Sequence, residues 1–438
     1  MFQQLSRPLR ATLQILSGSG AREGYLAAFD QGLISLANFL ATLILARLVT
    51  PTELGVYGVG FTSLRLVRSI QEGLTIQPLN ALGAALEPRP FARYATATSL
   101  IQGALGLAAG GLAALVGWGL TAQGNDTAGP ALFALWFPFL VWQWQEYLRR
   151  LLYARGDVAG AVFNSALANV VRLGVMVWWA ARGGLTGIAG LQAIAWGSLA
   201  ALIPGLWQTR AYWARDFMDL RQAWRQNWDF GRWVLGGALA NWVSVEFYPI
   251  LTAGMISFAA AGAYRALQNL AAPIHLLLRA VDNFLTPRAA RSYALGGQAA
   301  LRRALRLTYV FAGLPIFAIL VISVVWRDFL LQALYGDTYL EYSEGMLLMA
   351  LFYGLWFAYW PLQTAFKALQ LSRPIFIANL GAIAVMFSLG IMAIRAWGVY
   401  GTIVGQALNA LVVGMILLWS WRRIISSGPA KPEQAGEG

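Results

Sequence analysis

Four residues, Arg65, Arg68, Glu72 and Thr75, follow one another at steps of 3, 4 and 3 inside an otherwise apolar stretch. That spacing puts all four on one face of a helix. A second stripe, Arg265, Gln268, His275, Arg279, Asp282 and Thr286, repeats the pattern later in the chain. A guanidinium offers a planar fork that fits phosphate or carboxylate through two parallel hydrogen bonds. Acids placed among arginines can instead lock helices together, or carry a proton or a cation. The available chemistry is anion binding, ion pairing and ion coupling.

The elements that must position these residues are membrane helices. Hydrophobic residues make up 58% of the 438 and charged residues only 12%, against roughly 25% charged in a soluble domain. Mean hydropathy is +0.57. A spanning helix needs about 20 mostly apolar residues. Apolar blocks of that kind fall at 25–47, 54–80, 96–119, 130–150, 158–181, 185–207, 233–253, 260–286, 304–326, 342–366, 374–395 and 399–421. The expected fold is an all-α polytopic membrane protein of about twelve spans, in two pseudo-symmetric six-helix bundles around a central polar cavity.

With both termini inside, 23 of the 32 Lys and Arg fall on the cytoplasmic side and four on the other. Arg149 and Arg150 count here among the loop charges. Cytoplasmic loops collect basic residues, so topology accounts for the net charge of +13 without a nucleic-acid partner. Five arginines remain inside spans: Arg65, Arg68, Arg172, Arg265 and Arg279. A charge at mid-bilayer costs roughly 2.5–3.5 kcal/mol on insertion scales, so such residues should face the bundle interior or water.

Other polar residues align with them. Gln31, Ser35, Asn38 and Thr42 make one stripe on the first span, with Asp30 beside it; Asn241, Ser244 and Tyr248 make another on the seventh, with Glu246 on a neighbouring face. Arg65 and Arg265 have no acid at helical spacing and are the first candidates for anion ligands. Arg68–Glu72 and Arg279–Asp282 are either internal ion pairs or divided between substrate and coupling ion. Arg172 either snorkels, pairs across helices or meets substrate. His275 is a packed hydrogen-bonding residue or a substrate or proton contact. Asp30, Glu72, Glu246 and Asp282 are the coupling or ion-pair candidates; Asn38 and Asn241 complete the polar lining. The chain has no cysteine and one histidine, which excludes disulfides, thiolate metal sites and multi-histidine clusters. No phosphate-binding loop or metal-ligand spacing is present.

Between the spans, residues 208–232 carry Trp213, Phe217, Leu220, Trp224 and Trp228 at steps of 4, 3, 4 and 4. This predicts an interfacial amphipathic helix linking a bundle at 25–207 to one at 233–421. Residues 1–24 are expected to form a cytoplasmic segment rather than a signal peptide, and 422–438 a cytoplasmic tail. The halves repeat one another: "ANF" (37–39) and "GVY" (55–57) return as "ANW" (240–242) and "GAY" (262–264), and "GLTGIAGLQ" (184–192) as "GVYGTIVGQ" (398–406). Both halves begin and end on one side, so the repeats are parallel.

The opening "FDQGLISLANFLATLILARLVTPTELGVYGVG" (29–60), "GAYRALQNLAAP" (262–273) and "GVYGTIVGQ" resemble the polysaccharide transporter family, the Wzx-type flippases of lipid-linked oligosaccharide. That family is a branch of the MATE-like multidrug/oligosaccharidyl-lipid/polysaccharide superfamily. The resemblance covers nearly the whole chain. It implies alternating access that carries a glycan on polyprenyl pyrophosphate across the bacterial inner membrane, for O-antigen or exopolysaccharide assembly. It implies a cationic cavity for the pyrophosphate, proton or sodium coupling without a cofactor, and a monomer working beside polymerase and chain-length machinery. Two alternatives stand beside it. A drug/cation antiporter of the same superfamily would favour an acidic, aromatic pocket. A membrane polysaccharide polymerase or ligase would need catalytic residues on a large external loop. The longest external connection here, 327–342, is read as a solvated loop.

Overall fold

The computed structural model describes residues 19–83 and 85–426, so most of the N-terminal segment and the end of the tail lie outside the described residues. Within the described residues the elements are helices, with no strand. Backbone in hydrocarbon must satisfy its own polar groups, and a helix does this within one segment.

The chain divides into two compact units, Met1–Leu239 and Ala240–Gly438. The first contains α1 (Ser19–Leu48), α2 (Pro51–Gln71), α3 (Gln77–Gly83), α4 (Pro88–Ala122), α5 (Ala128–Phe133), α6 (Trp136–Ala154), α7 (Val158–Ala181) and α8 (Gly187–Gln208). The division falls inside α9 (Leu220–Glu246). The second unit continues with α10 (Tyr248–Met255), α11 (Phe258–Leu270), α12 (Ala272–Val325), α13 (Arg327–Tyr335), α14 (Gly345–Ala368), α15 (Ser372–Val385) and α16 (Ile391–Ser426).

Seven helical segments are long and apolar enough to cross a membrane, and α9 with α10, bent by 48°, make an eighth. One of the seven, Ser372–Arg423, is two passes, because α16 breaks at Gly398 with φ 57°. Helix α12, 54 residues long, breaks at Gly297 with φ 59°, a conformation that glycine adopts without steric cost. Helices α2, α6 and α11 with the first part of α12 carry the charged and polar residues that lower their hydropathy. Counting them, the described helices make twelve passes.

Local chemistry fixes several starts. Thr50 caps α2, its Oγ1 accepting from Glu53 N at 3.3 Å, with Pro51 at the first helical position. Asp157 caps α7 and Thr186 caps α8, accepting from Gly160 N at 2.8 Å and Ala189 N at 3.0 Å. Side-chain oxygens satisfy backbone donors that a helix start leaves orphaned. In the second unit Ser257 caps α11 through Ala260 N at 3.1 Å. This cap and the buried Tyr264 lie at the same offset from Thr50 and the buried Tyr57, so the repeat extends to capping and core.

Two stretches differ from expectation. Residues 208–232 are not one amphipathic helix. A short 3-10 turn, Arg210–Tyr212, gives way to an extended stretch, and α9 starts only at Leu220 and runs directly into the seventh span. The reason is local pinning onto α4: Met218 N donates to Arg93 O at 3.2 Å, Ala214 N to Thr96 Oγ1 at 3.0 Å, and Arg93 Nε to Asp216 O at 2.6 Å. Asp219 then caps α9 through Gln222 N at 2.9 Å. The 327–342 connection is folded rather than loose. It forms α13 and a 3-10 turn, Gly336–Tyr342, with Tyr335 and Tyr339 buried.

Candidate functional site

Charge in the first unit converges on one carboxylate. Glu146, Arg149 and Arg150 leave α6 within a single turn. Glu146 Oε1 accepts from Arg149 Nη2 at 2.7 Å, Arg68 Nη2 at 2.9 Å and Arg150 Nε at 3.0 Å, and its Oε2 accepts from Arg149 Nε at 2.9 Å. Arg149 Nη1 continues to Asp30 Oδ2 on α1 at 2.6 Å, where the Tyr153 hydroxyl also donates at 2.7 Å. Glu72 lies 4.0 Å from Arg150 and accepts from Gln77 Nε2 at 3.0 Å. Three arginines and three acids from α1, α2 and α6 thus form a charge-balanced network. Pairing of this density is what lets ionised groups persist away from water, since breaking one member of a buried pair costs about 3–5 kcal/mol.

The network has a buried root and an accessible edge. Side-chain exposure is 5% for Glu146 and 6% for Arg149, against 32% for Arg68, 28% for Arg150 and 27% for Glu72. Glu72 opens a π-turn, Glu72–Ile76, which inserts an extra residue into the helix and re-aims its face. Glycine permits the packing behind this turn. A Cβ at Gly231 of α9 would lie 2.3 Å from Gly73 O, and one at Gly73 would lie 2.9 Å from Leu235 Cα.

The structure therefore corrects one pairing. Arg68 binds Glu146, 78 positions away, and not Glu72 at helical spacing. It also recruits Glu146, which lies on neither polar stripe, and Arg149 and Arg150, which the loop-charge count had assigned to topology. Their signal was the i, i+3, i+4 spacing inside "QEYLRR", next to an aromatic apolar helix. Arg65 sits one turn before Arg68 on α2, half-buried.

A separate buried cation lies between α1, α2 and α7. Arg172 donates through Nη1 to Asn38 Oδ1 at 2.8 Å and through Nη2 to the Tyr57 hydroxyl, with Phe61 6.0 Å below its guanidinium. It pairs across helices rather than snorkelling. An amide belt accompanies it: Gln71 Nε2 donates to Gln143 O at 2.8 Å, Thr75 to Gln102 Oε1 at 3.0 Å, and Gln145 Nε2 to Asn164 Oδ1 at 2.7 Å.

The second unit arranges its polar residues differently. Arg265 Nη1 donates to Gln268 Oε1 at 3.0 Å, Gln268 Nε2 to the Tyr264 hydroxyl at 3.1 Å, and Tyr264 to Gln406 Oε1 at 2.7 Å. Glu246 lies half-buried at the end of α9. His275 Nε2 shares a 2.8 Å hydrogen bond with Tyr353 and packs 4.8 Å from the Trp356 ring. Asp282 accepts from Thr364 and from Lys367 Nζ at 3.0 Å. The Arg279 side chain lies outside the described residues. Asn241 is exposed, unlike its counterpart Asn38.

Comparison with known proteins bears on what these units are for. Residues 157–344 match a family described as polysaccharide biosynthesis protein. A multidrug resistance MATE family transporter of the MOP superfamily, solved inward-facing, superposes with a TM-score of 0.74 at 15% identity, covering 91% of this chain and 96% of the other. The fold is that of a MATE-like membrane transporter. A MOP superfamily transporter from Pyrococcus furiosus, described as having a binding pocket of reverse polarity, gives 0.64 at 13% identity over 95% and 98% of the two chains. A Vibrio cholerae MATE transporter gives 0.59 at 16% over 93% and 96%. No curated protein matches the sequence. The solved structures share this chain's fold, and the family match covers its residues 157–344.

Proposed function

We propose that this protein is a flippase that moves oligosaccharide linked to polyprenyl pyrophosphate across the bacterial inner membrane by alternating access, for O-antigen or exopolysaccharide assembly. The observation that carries this reading is the arginine-rich interior of a MATE-like unit in a chain whose residues 157–344 match polysaccharide biosynthesis proteins. An anionic headgroup needs such cations, and arginine suits pyrophosphate oxygens by geometry. The charge bias of the loops supports both termini in the cytoplasm. Proton or sodium coupling, a monomeric state and cooperation with polymerase and chain-length machinery belong to the same reading.

A drug/cation antiporter would need acids available to a cationic substrate. Here Asp30, Glu146 and Asp282 are each engaged by a basic side chain, so none of the three is offered to a cationic substrate. Deletion of the gene is the test. The flippase reading expects lipid-linked repeat units to accumulate on the inner leaflet, with export restored by the wild-type chain. Normal surface polysaccharide in the deletion strain would overturn it.

A further inference from the structure

We propose that the hairpin at the break in α12 is a docking surface for anionic phospholipid headgroups. Between Asp282 and Asp328 the chain holds no acidic residue, yet the stretch around the break carries Arg288, Arg291, Arg302, Arg303 and Arg306. The break at Gly297 lets the two arms fold back on each other, so that Leu285 and Ala289 of one pack with Leu301 and Leu305 of the other. All five arginines are left exposed. The nearest acid before them, Asp282, is already engaged by Lys367 at 3.0 Å. The end of α16 adds Arg422 and Arg423, both exposed, next to Trp421, which packs against the same apolar core.

The residues that follow these arginines decide the kind of partner. Arg303, Arg306, Val310, Leu314 and Phe317 step by 3, 4, 4 and 3 along the second arm, which places them on one helical face. Val310, Leu314 and Phe317 keep 62%, 74% and 65% of their surface exposed, as side chains against lipid do. The two arginines therefore continue the lipid-facing stripe where the hydrocarbon ends, and do not turn toward the protein interior. A guanidinium there meets phosphodiester oxygens through two hydrogen bonds, and basic clusters beside a span attract anionic lipid. Arg423, stacked 3.9 Å from the Trp419 ring, adds an aromatic anchor of the kind found at membrane interfaces. The matching connection of the first unit is built otherwise. Its Arg89 and Arg93 meet Asp216 at 3.3 and 3.7 Å, so that charge is answered within the protein. Both connections satisfy a rule that keeps basic residues on one side of a membrane. The second alone sets its surplus on a lipid-facing stripe. The surface depends on α12 entering a membrane, and not on what the protein transports.

The experiment reconstitutes the full chain in nanodiscs of phosphatidylcholine with a minor fraction of phosphatidylglycerol, extracts it in mild detergent and counts the retained lipids by mass spectrometry. Phosphatidylglycerol should be retained about ten-fold above its bulk ratio to phosphatidylcholine. High salt during extraction should lower that enrichment several-fold, because screening shortens the reach of exposed charge. The triple variant Arg302→Gln, Arg303→Gln, Arg306→Gln should lose most of the enrichment. The control pair Arg89→Gln, Arg93→Gln removes charge from the first unit's connection and should keep it. Should the triple variant fail to fold, the salt series on the wild-type chain decides alone. Equal enrichment in wild type and the triple variant, or at low and high salt, would overturn the proposal. An equal loss in the control pair would overturn it too, since loop charge in general would then be the cause. Displacement of the retained lipid by millimolar inorganic phosphate would replace the lipid with a soluble anion. No enrichment in the wild-type chain would remove the lipid and leave an acidic protein as the partner of the hairpin.

Discussion

In the first unit Tyr57 meets a charge, Arg172; in the second its repeat counterpart Tyr264 meets amides, Gln268 and Gln406. The same contrast holds more widely. The first unit buries Glu146 and Arg149 almost completely, whereas the Asp282–Lys367 pair of the second keeps 25% and 40% of its side chains exposed. Matching caps at Thr50 and Ser257 show that the two units share a plan for starting helices. The polar content placed on that plan has diverged. Ionised groups in hydrocarbon are retained only where they are mutually paired, so the unit with the dense network is the one organised around charge.

The largest break in this comparison should come from Glu146→Ala. It leaves three arginines facing one another without their acceptor, and loss of a buried partner costs about 3–5 kcal/mol. Thermal unfolding in detergent should show a chain that is barely folded, or folded only with added anion. The equivalent cut in the second unit, Asp282→Ala, should be clearly milder. A comparable effect from both would erase the distinction between the units.

Next in size is Gly231→Leu. Its side chain would meet Gly73 O at the π-turn, and overpacking of this kind costs about 1–3 kcal/mol. A lowered melting temperature and disturbed pairing at Glu72 are expected; an unchanged melting curve would show that α9 can move away from the turn. A finer probe is the pair Tyr57→Phe and Tyr264→Phe. Hydrogen bonds to charged groups contribute about 1.5–3 kcal/mol and neutral ones about 0.5–1.5, so the first should destabilise more than the second. The smallest effect belongs to Lys367→Ala, within about 1 kcal/mol because the pair is partly exposed.

Much of the fold was legible because hydropathy and punctuation act locally. The span at 158–181 is Val158–Ala181, bounded by the Asp157 cap that the sequence displays. What was hidden depended on partners distant in sequence. Arg68 has an acid at i+4, yet its partner is on α6, and no spacing rule reaches across 78 positions. Arg149 and Arg150, at the last turn of an apolar helix, look like loop charges until the fold brings Asp30 and Glu72 to them. The 208–232 segment has an amphipathic period, but backbone bonds to α4 hold its first part extended. Periodicity states what a segment can form alone; tertiary hydrogen bonds decided otherwise.

The most direct measurement of the central claim is transbilayer movement in proteoliposomes, using the purified chain and an oligosaccharide linked to polyprenyl pyrophosphate. Wild-type protein should accelerate appearance of the glycan on the far leaflet. The Arg68→Ala, Arg150→Ala double variant should lose that acceleration, and Lys367→Ala should keep it. A wild-type rate no faster than protein-free vesicles, or a double variant as fast as wild type, would contradict the account.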